Sequence, residues 1–97
     1  RMQQAFGIAH VHVTDAEAYG KYAALAGPAI AAHGGKFLAR GGRYVQLEGQ
    51  ARERNVVAVF PSLEKAVECY HSPAYSAARA HAKGACEREL MVVEAAE

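Results

Sequence analysis

Residues 5–13 read AFGIAHVHV and form the first clearly patterned run of the chain. Apolar residues occupy both its odd and its even positions, and the two histidines, His10 and His12, fall on the even ones. A short run of this kind, bounded by polar residues, is typical of a β-strand. Because successive side chains of a strand point to opposite faces, the run predicts a strand with apolar residues on both sides.

Residues 14–17, TDAE, follow this strand and fit a capping box, with Thr14 as the N-cap and the Glu17 side chain bonded back to the Thr14 amide. A stripe at steps of three and four then predicts a helix that runs to about residue 33. The stripe consists of Ala18, Tyr22, Leu25, Ala29 and His33. Since proline has no amide hydrogen to donate, we expect a kink at Gly27-Pro28.

The segment HGGKFLARGG, residues 33–42, places two glycine pairs around a short strand. Gly34-Gly35 is predicted to end the helix, because glycine adopts positive φ without a steric penalty. KFLAR is predicted as the second strand, and Gly41-Gly42 as a tight turn or bulge after it. Strand character resumes at residues 43–48, RYVQLE, so the region predicts a hairpin or one long bent arm.

The second half of the chain predicts a loop, a strand buried on both faces, two helical segments and a last strand. In chain order these are residues 49–55, 56–60, 63–70, 73–84 and 88–94, with Ser62 and Ser72 as helix caps. The order βαββαβ predicts a ferredoxin-like α+β fold, in which a four-stranded antiparallel sheet carries its helices on one face.

Both faces of this sheet need cover. Strands 6–13, 56–60 and 90–93 are apolar on both sides, whereas two helices cover only one side of a four-stranded sheet. A second copy, packed sheet on sheet about a two-fold axis, would cover the other side. We therefore expect a homodimer.

Composition indicates one ordinary globular domain over residues 1–97, with 52% hydrophobic and 22% charged residues. The net charge is +1 and the basic residues are spread out, which predicts neither a nucleic-acid surface nor a membrane anchor. No signal-peptide pattern or long apolar run is present. Two cysteines without a metal-ligand spacing favour free thiols and a cytoplasmic protein.

Three segments together resemble one known family: HVHVTDAEAYGKY, HGGKFLARGG and VFPSLEKAVECYHSPAYSAAR. They are similar to the domain of unknown function 1330 family, small bacterial proteins of the dimeric α+β barrel superfamily. The resemblance implies a ferredoxin-like dimer. The wider superfamily includes heme-degrading and cofactor-free quinone-forming monooxygenases, muconolactone isomerases and ligand-sensing domains, so the fold alone selects no function.

The chain departs from that family pattern at three positions. The family carries a glutamate before the phenylalanine of FPS, a tryptophan before the first tyrosine of YxSPxY and an arginine after the second. This chain has Val59, Cys69 and Ala82 there. The smaller or less polar residues imply a roomier, more apolar pocket or simple divergence, and Val59 removes one possible internal partner of Arg40.

Arg40 ends the second strand beside a glycine turn, where its guanidinium can hold a ligand carboxylate or form a surface ion pair. Tyr22, Tyr70 and Tyr75 face inward by spacing, either as core residues or as the wall of a ligand pocket. We predict that these four residues bind substrate.

His10 and His12 project from one face of the first strand, and we predict them as catalytic bases of a pocket. Dimer-interface or edge positions are the alternative, and a metal site lacks a third ligand nearby. His33 is predicted to be structural, as a cation at a helix C-terminus. The four glycines of residues 34–42 are predicted to be structural as well.

These residues predict a small homodimeric protein that binds or transforms a small organic molecule without a cofactor, in a cavity between helices and sheet. A cofactor-independent monooxygenase or isomerase is the enzymatic form of this hypothesis. The alternative is a non-catalytic ligand-binding or stress-related module, with a filled core. Heme handling is a third possibility and would require an axial ligand at a wide cleft.

Overall fold

The computed structural model describes residues 3–97, which form four strands and three helices. In chain order these are β1 (Ala5–Val13), α1 (Ala16–Ala32), β2 (Lys36–Arg40), β3 (Arg54–Phe60), α2 (Leu63–His71), α3 (Pro73–Ala82) and β4 (Cys86–Glu94). The sheet is antiparallel throughout, with strand order β2-β3-β1-β4. This is the predicted ferredoxin-like α+β fold, and β3 is a central strand as predicted.

The odd-numbered residues of β1 face the helices. Ala9 and Val11 belong to the hydrophobic core, which also contains residues of all three helices. The even-numbered residues, including His10 and His12, therefore point to the opposite side, which we call the open face. Cross-strand pairing extends this division to β3 and β4, because residues directly opposite one another share a face.

A bulge in β2 brings Phe37 and Arg40 to the same side of the sheet. The pairing with β3 shifts between Phe37 and Ala39, so that Leu38 is an extra residue. Phe37 is paired with Ala58 and Arg40 with Val56, and both partners face the helices. Without the bulge, an odd spacing of three would place the two side chains on opposite faces.

The predicted strand at residues 43–48 is absent, and the predicted hairpin is therefore wrong. The chain leaves β2 at Gly41, whose φ is 71° and whose amide donates to the Asn55 carbonyl. A hairpin would need residues 43–48 to pair with the outer edge of β2, but this edge stays unpaired in the four-stranded sheet of the described chain. Val45 and Leu47 are consequently 80% and 87% exposed.

The prediction of Thr14 as the N-cap of a capping box is also wrong. Asp15, not Thr14, caps α1, and its carboxylate accepts from the Ala18 amide at 3.1 Å. The Thr14 amide donates instead to the Ala85 carbonyl at 2.9 Å and is unavailable to Glu17. The helix then runs through Pro28 to Ala32.

The buried face of α1 is rotated from the predicted stripe, with Leu25 43% exposed. Its buried residues are Tyr19, Tyr22, Ala26 and Ala29. Ser62 and Ser72 cap α2 and α3 as predicted, each accepting from a backbone amide three residues on. These caps determine where α2 and α3 begin above the sheet, and α3 carries Tyr75.

Candidate functional site

A cavity of about 300 Å³ lies between the sheet and the helices. Its floor is the helix-facing side of β1 and β3, where Gly7 has no side chain and Ala9 and Ala58 have only methyl groups. Its roof includes Ala23 and Ala26 of α1. Protein interiors normally pack with few voids larger than a water molecule. The small residues on both walls explain why this space stays open.

Three arginines line the cavity, and no aspartate or glutamate among residues 3–97 lines it with them. Arg54 and Arg88 lie on the two sides of Val11, in one row across the sheet. Arg40 lies opposite Val56 in the neighbouring row. The Arg54 Nε atom is buried and has no hydrogen-bond partner within the described chain. The cavity wall thus carries the positive charge of three guanidinium groups, and no carboxylate on the described wall neutralises it.

Two tyrosines and an arginine form a buried polar cluster at one side of the cavity. The hydroxyls of Tyr22 and Tyr75 are 2.6 Å apart, and Arg88 Nη1 donates to the Tyr22 hydroxyl at 2.9 Å. Burial, and then the neighbouring Tyr75, raise the pKa of Tyr22 well above its ordinary value, although Arg88 opposes this shift. Tyr22 therefore stays protonated at neutral pH and acts as a hydrogen-bonding phenol rather than as a base.

The structure brings the four predicted substrate-binding residues, Tyr22, Arg40, Tyr70 and Tyr75, together on the wall of this cavity. The Tyr70 and Tyr75 rings are 5.7 Å apart, and the Arg40 guanidinium lies 4.3 Å from the centre of the Phe37 ring. This placement is compatible with ligand binding, which itself remains a prediction.

His10 and His12 do not line the cavity, so the prediction of either as its base is wrong. Both are exposed on the open face. His10 Nδ1 is 2.6 Å from Asn55 Oδ1, and His12 Nδ1 is 2.9 Å from Glu53 Oε1. The reason is strand parity, because Ala9 and Val11 take the positions that face the helices. The sheet itself separates these imidazoles from the cavity.

His33 caps the C-terminus of α1, where its Nδ1 donates to the Ala29 carbonyl at 2.8 Å. Gly34 has a φ of 78°, and a Cβ atom there would lie 2.8 Å from Pro61. A Cβ atom on Gly35 would come equally close to the Phe60 ring. These contacts agree with the predicted structural roles of all three residues.

The two glycines of the second pair, Gly41 and Gly42, differ in whether the structure requires glycine. A Cβ atom on Gly41 would lie 2.7 Å from Arg54 Nη1, so this glycine leaves room for a cavity arginine. Gly42 has no described atom within 4 Å of the corresponding position and its φ is not positive. A structural requirement for glycine at residue 42 is therefore not supported.

Arg54 and Arg88 were not predicted from the sequence as cavity residues, although the alternation of their strands indicates that they face inward. Arg54 shares its parity with Val56 and Ala58, and Arg88 shares its parity with Val92. These apolar residues face the helices, so arginines at the same parity must also project inward.

The three departures from the family pattern fall in different environments. Val59 pairs with Phe6 and lies on the open face, so a carboxylate there would not have faced Arg40. The suggestion that Val59 frees Arg40 from a partner is therefore wrong. Cys69 lines the cavity, where burial raises its thiol pKa, and Ala82 is buried in the core. Both cysteines are free thiols.

Among residues 3–97, no group of three or more histidine, cysteine, aspartate or glutamate side chains is arranged to hold a metal ion. The helices of the same region all fall short of the length and hydropathy that crossing a membrane requires.

Solved structures with this fold include a protein of unknown function from Rhodopseudomonas palustris, 23% identical, with a TM-score of 0.83. That match covers 100% of this chain and 85% of the other. SnoaB, a cofactor-independent oxygenase from Streptomyces nogalater, is 12% identical with a TM-score of 0.66, over 98% of this chain and 95% of that one. At these identities the likeness shows the fold alone.

A dimeric protein of unknown function with a ferredoxin-like fold, from Bacteroides fragilis NCTC 9343, is 13% identical with a TM-score of 0.65, over 95% of this chain and 96% of that one. No curated protein matches the chain. The model of the family described as a domain of unknown function (DUF1330) matches residues 4–96. Because that match spans nearly all of the sequence, the chain belongs to the DUF1330 family.

Proposed function

We propose that the cavity binds a small organic anion with an apolar body. The observation that carries this proposal is the presence of three arginines and no carboxylate on the described cavity wall. Guanidinium groups in a partly desolvated site need counter-charge, and a carboxylate is the group their planar fork fits best. A bound anion would supply that charge.

The volume of the cavity and the residues on its walls restrict the class of ligand further. At a share of about 30 Å³ for each water-sized group, 300 Å³ accommodates on the order of ten non-hydrogen atoms. Arg54 and Arg88 share one row of the floor, Arg40 lies opposite Val56 in the next row, and Gly7, Ala58 and Val92 form the apolar row beyond it. An anionic head at the arginines and an apolar ring or chain over the small residues fit this gradient.

The open cavity favours this proposal over a non-catalytic module with a filled core. The enzymatic form, cofactor-independent isomerase or monooxygenase chemistry, is supported by the likeness in fold to SnoaB. Within it, the proton donor is the Tyr22–Tyr75 pair rather than His10 or His12, because these two phenols line the cavity and these two histidines do not.

We further propose that the protein is a cytoplasmic homodimer formed through the open face. The part of this face distant from the histidines is apolar, and Met91 and Val93 on it are 50% and 42% exposed. The other apolar residues of the same patch are Phe6, Ile8, Val57 and Val59. Light scattering at micromolar concentration is expected to give twice the mass of one chain, and a monomer mass would exclude this interface.

The anion proposal is tested by calorimetric titration with benzoate and its neutral analogue benzamide. We expect benzoate to bind at least about tenfold more tightly, a difference of about 1.4 kcal/mol. Arg40→Ala and Arg54→Met should each remove most of that preference. Lys36→Ala is the matched control, since Lys36 is a cation of the same strand β2 outside the cavity. Equal binding of benzoate and benzamide would contradict the proposal.

A further inference from the structure

The two sides of the cavity present different hydrogen-bonding groups. At the β4 side, Arg88 Nη1 donates to the Tyr22 hydroxyl at 2.9 Å, and Nη2 lies 3.5 Å from the Tyr75 hydroxyl. The outer edge of the Arg88 fork is thus already directed at two phenol oxygens. This edge cannot also hold a ligand carboxylate through two parallel bonds.

The two phenols still leave one hydrogen for a ligand. Tyr22 and Tyr75 together have two hydroxyl hydrogens, and the 2.6 Å bond between them uses one. The second hydrogen has no acceptor within the described chain. The cluster therefore offers a single donor, which suits one acceptor oxygen, such as a hydroxyl or carbonyl oxygen.

Arg40, at the β2 side, has its fork free. It forms no ion pair or side-chain hydrogen bond with any residue of 3–97, and its guanidinium lies over the Phe37 ring at 4.3 Å. A Cβ atom on Gly27 would be 3.7 Å from Arg40 Nη2, an ordinary contact distance, so the guanidinium lies beside α1 at this position. A carboxylate can be held bidentately here.

These two polar positions belong to opposite edges of the sheet. β2 and β4 are the edge strands, with β3 and β1 between them, so three strand spacings separate the two backbones by about 14 Å. Arg40 and Arg88 both line the cavity, and Ala9 and Ala58 on the two strands between them line it as well. A ligand that reaches both needs polar groups at its two ends and an apolar middle.

We propose that the ligand is a carboxylic acid with a second oxygen function at the opposite end of an apolar ring, with the carboxylate on Arg40 and the lone oxygen at the Tyr22–Tyr75–Arg88 cluster. This inference rests on the proposed function and narrows it from any small organic anion to a hydroxy or oxo acid. Tyr22 and Tyr75 are then the residues that select the second oxygen.

The test uses three ligands of one shape: 4-hydroxybenzoate, 4-methylbenzoate and 4-hydroxybenzamide. A site that hydrogen-bonds a hydroxyl rejects the analogue without it, because its own polar groups lose their partner. Calorimetry on the unmodified protein is expected to show 4-hydroxybenzoate binding at least about tenfold more tightly than 4-methylbenzoate. Equal affinities would overturn this inference and leave the anion proposal standing. If 4-hydroxybenzamide binds as tightly as 4-hydroxybenzoate, both proposals fail.

Substitutions on the two sides of the cavity test the proposed contacts at the two ends of the ligand separately. Tyr22→Phe and Tyr75→Phe should each reduce the preference for the hydroxyl to about threefold or less, and Tyr44→Phe, in the exposed loop, should leave it unchanged. Arg40→Ala should weaken both carboxylates by the same factor and keep the hydroxyl preference. A hydroxyl preference that survives both tyrosine variants would overturn the assignment. The ligand comparison on the unmodified protein remains decisive if a variant fails to fold.

Discussion

The helix-facing side of the sheet and its open face use the same strands but carry different chemistry. In β1, Ala9 and Val11 face the helices, whereas His10 and His12 alternate with them on the open face. The first side has small residues and inward arginines around a cavity, and the second has an apolar patch with a polar end. One position along a strand therefore decides whether a side chain faces the cavity or the open face.

Filling the floor of the cavity should have the largest effect. Ala9→Phe places a ring where we propose that the ligand body lies, and we expect calorimetry with benzoate to show affinity reduced at least about 100-fold. The ring enters existing space, so the overpacking cost should stay within about 1–3 kcal/mol by urea unfolding. His10→Phe is the matched control, one residue along the same strand on the open face. Equal losses in both variants would show that the ligand does not lie on the helix-facing side.

A charge on the open face should have the next largest effect. Val57 lies beside Ile8 in the apolar patch, and Val57→Lys would bury an unpaired ammonium group between two sheets. We expect the dimer dissociation constant, measured by sedimentation, to rise at least about tenfold. Lys65→Glu, on the exposed side of α2, should leave it unchanged. A dimer that tolerates Val57→Lys must use another surface.

Much of this architecture could be predicted from residue patterns, because the strands and helices appear as local apolar runs and stripes. The prediction failed at residues 43–48, where Tyr44 and Val45 favour a strand but the segment does not pair with the free outer edge of β2. Local propensity cannot show whether a segment will pair with a free edge.

The site was less predictable, since both faces of β1 are apolar and alternation alone does not say which one meets the helices. That ambiguity placed His10 and His12 at the cavity. It did not affect Tyr22 and Tyr75, which lie on helices with one inward face. The inward position of Arg40 depends on the bulge at Leu38, and no residue type in this strand predicts a bulge there.

Removing one hydroxyl from the phenol cluster should have a smaller effect on stability. Tyr22 is 8% exposed, and Tyr22→Phe leaves the Tyr75 hydroxyl and Arg88 without their shared partner. We expect the free energy of unfolding to fall by about 1–3 kcal/mol, measured by urea denaturation. Tyr44→Phe, at a 45% exposed position, should change it by less than about 0.5 kcal/mol. Equal values for the two variants would mean that the cluster adds no stability to the helix-facing side.

The smallest effect is expected from acid on the polar end of the open face. The hydrogen bond from His12, followed by that from the Val13 amide, lowers the pKa of Glu53 from 4.5 to about 2. A carboxyl group with a lowered pKa in the folded state adds stability above its unfolded pKa, and this stability is lost as the pH falls through the folded value. Glu53→Gln removes the titrating group and keeps an oxygen that can accept from Val13.

The urea midpoint of the unmodified protein should therefore fall slightly more steeply than that of Glu53→Gln between about pH 5 and pH 2. Because Glu53 is exposed, solvent screens the interaction and the difference should nearly vanish in high salt. Parallel pH profiles would show that the His12–Glu53 contact is electrostatically neutral. The benzoate affinity of Glu53→Gln should stay unchanged, because the sheet lies between this pair and the cavity.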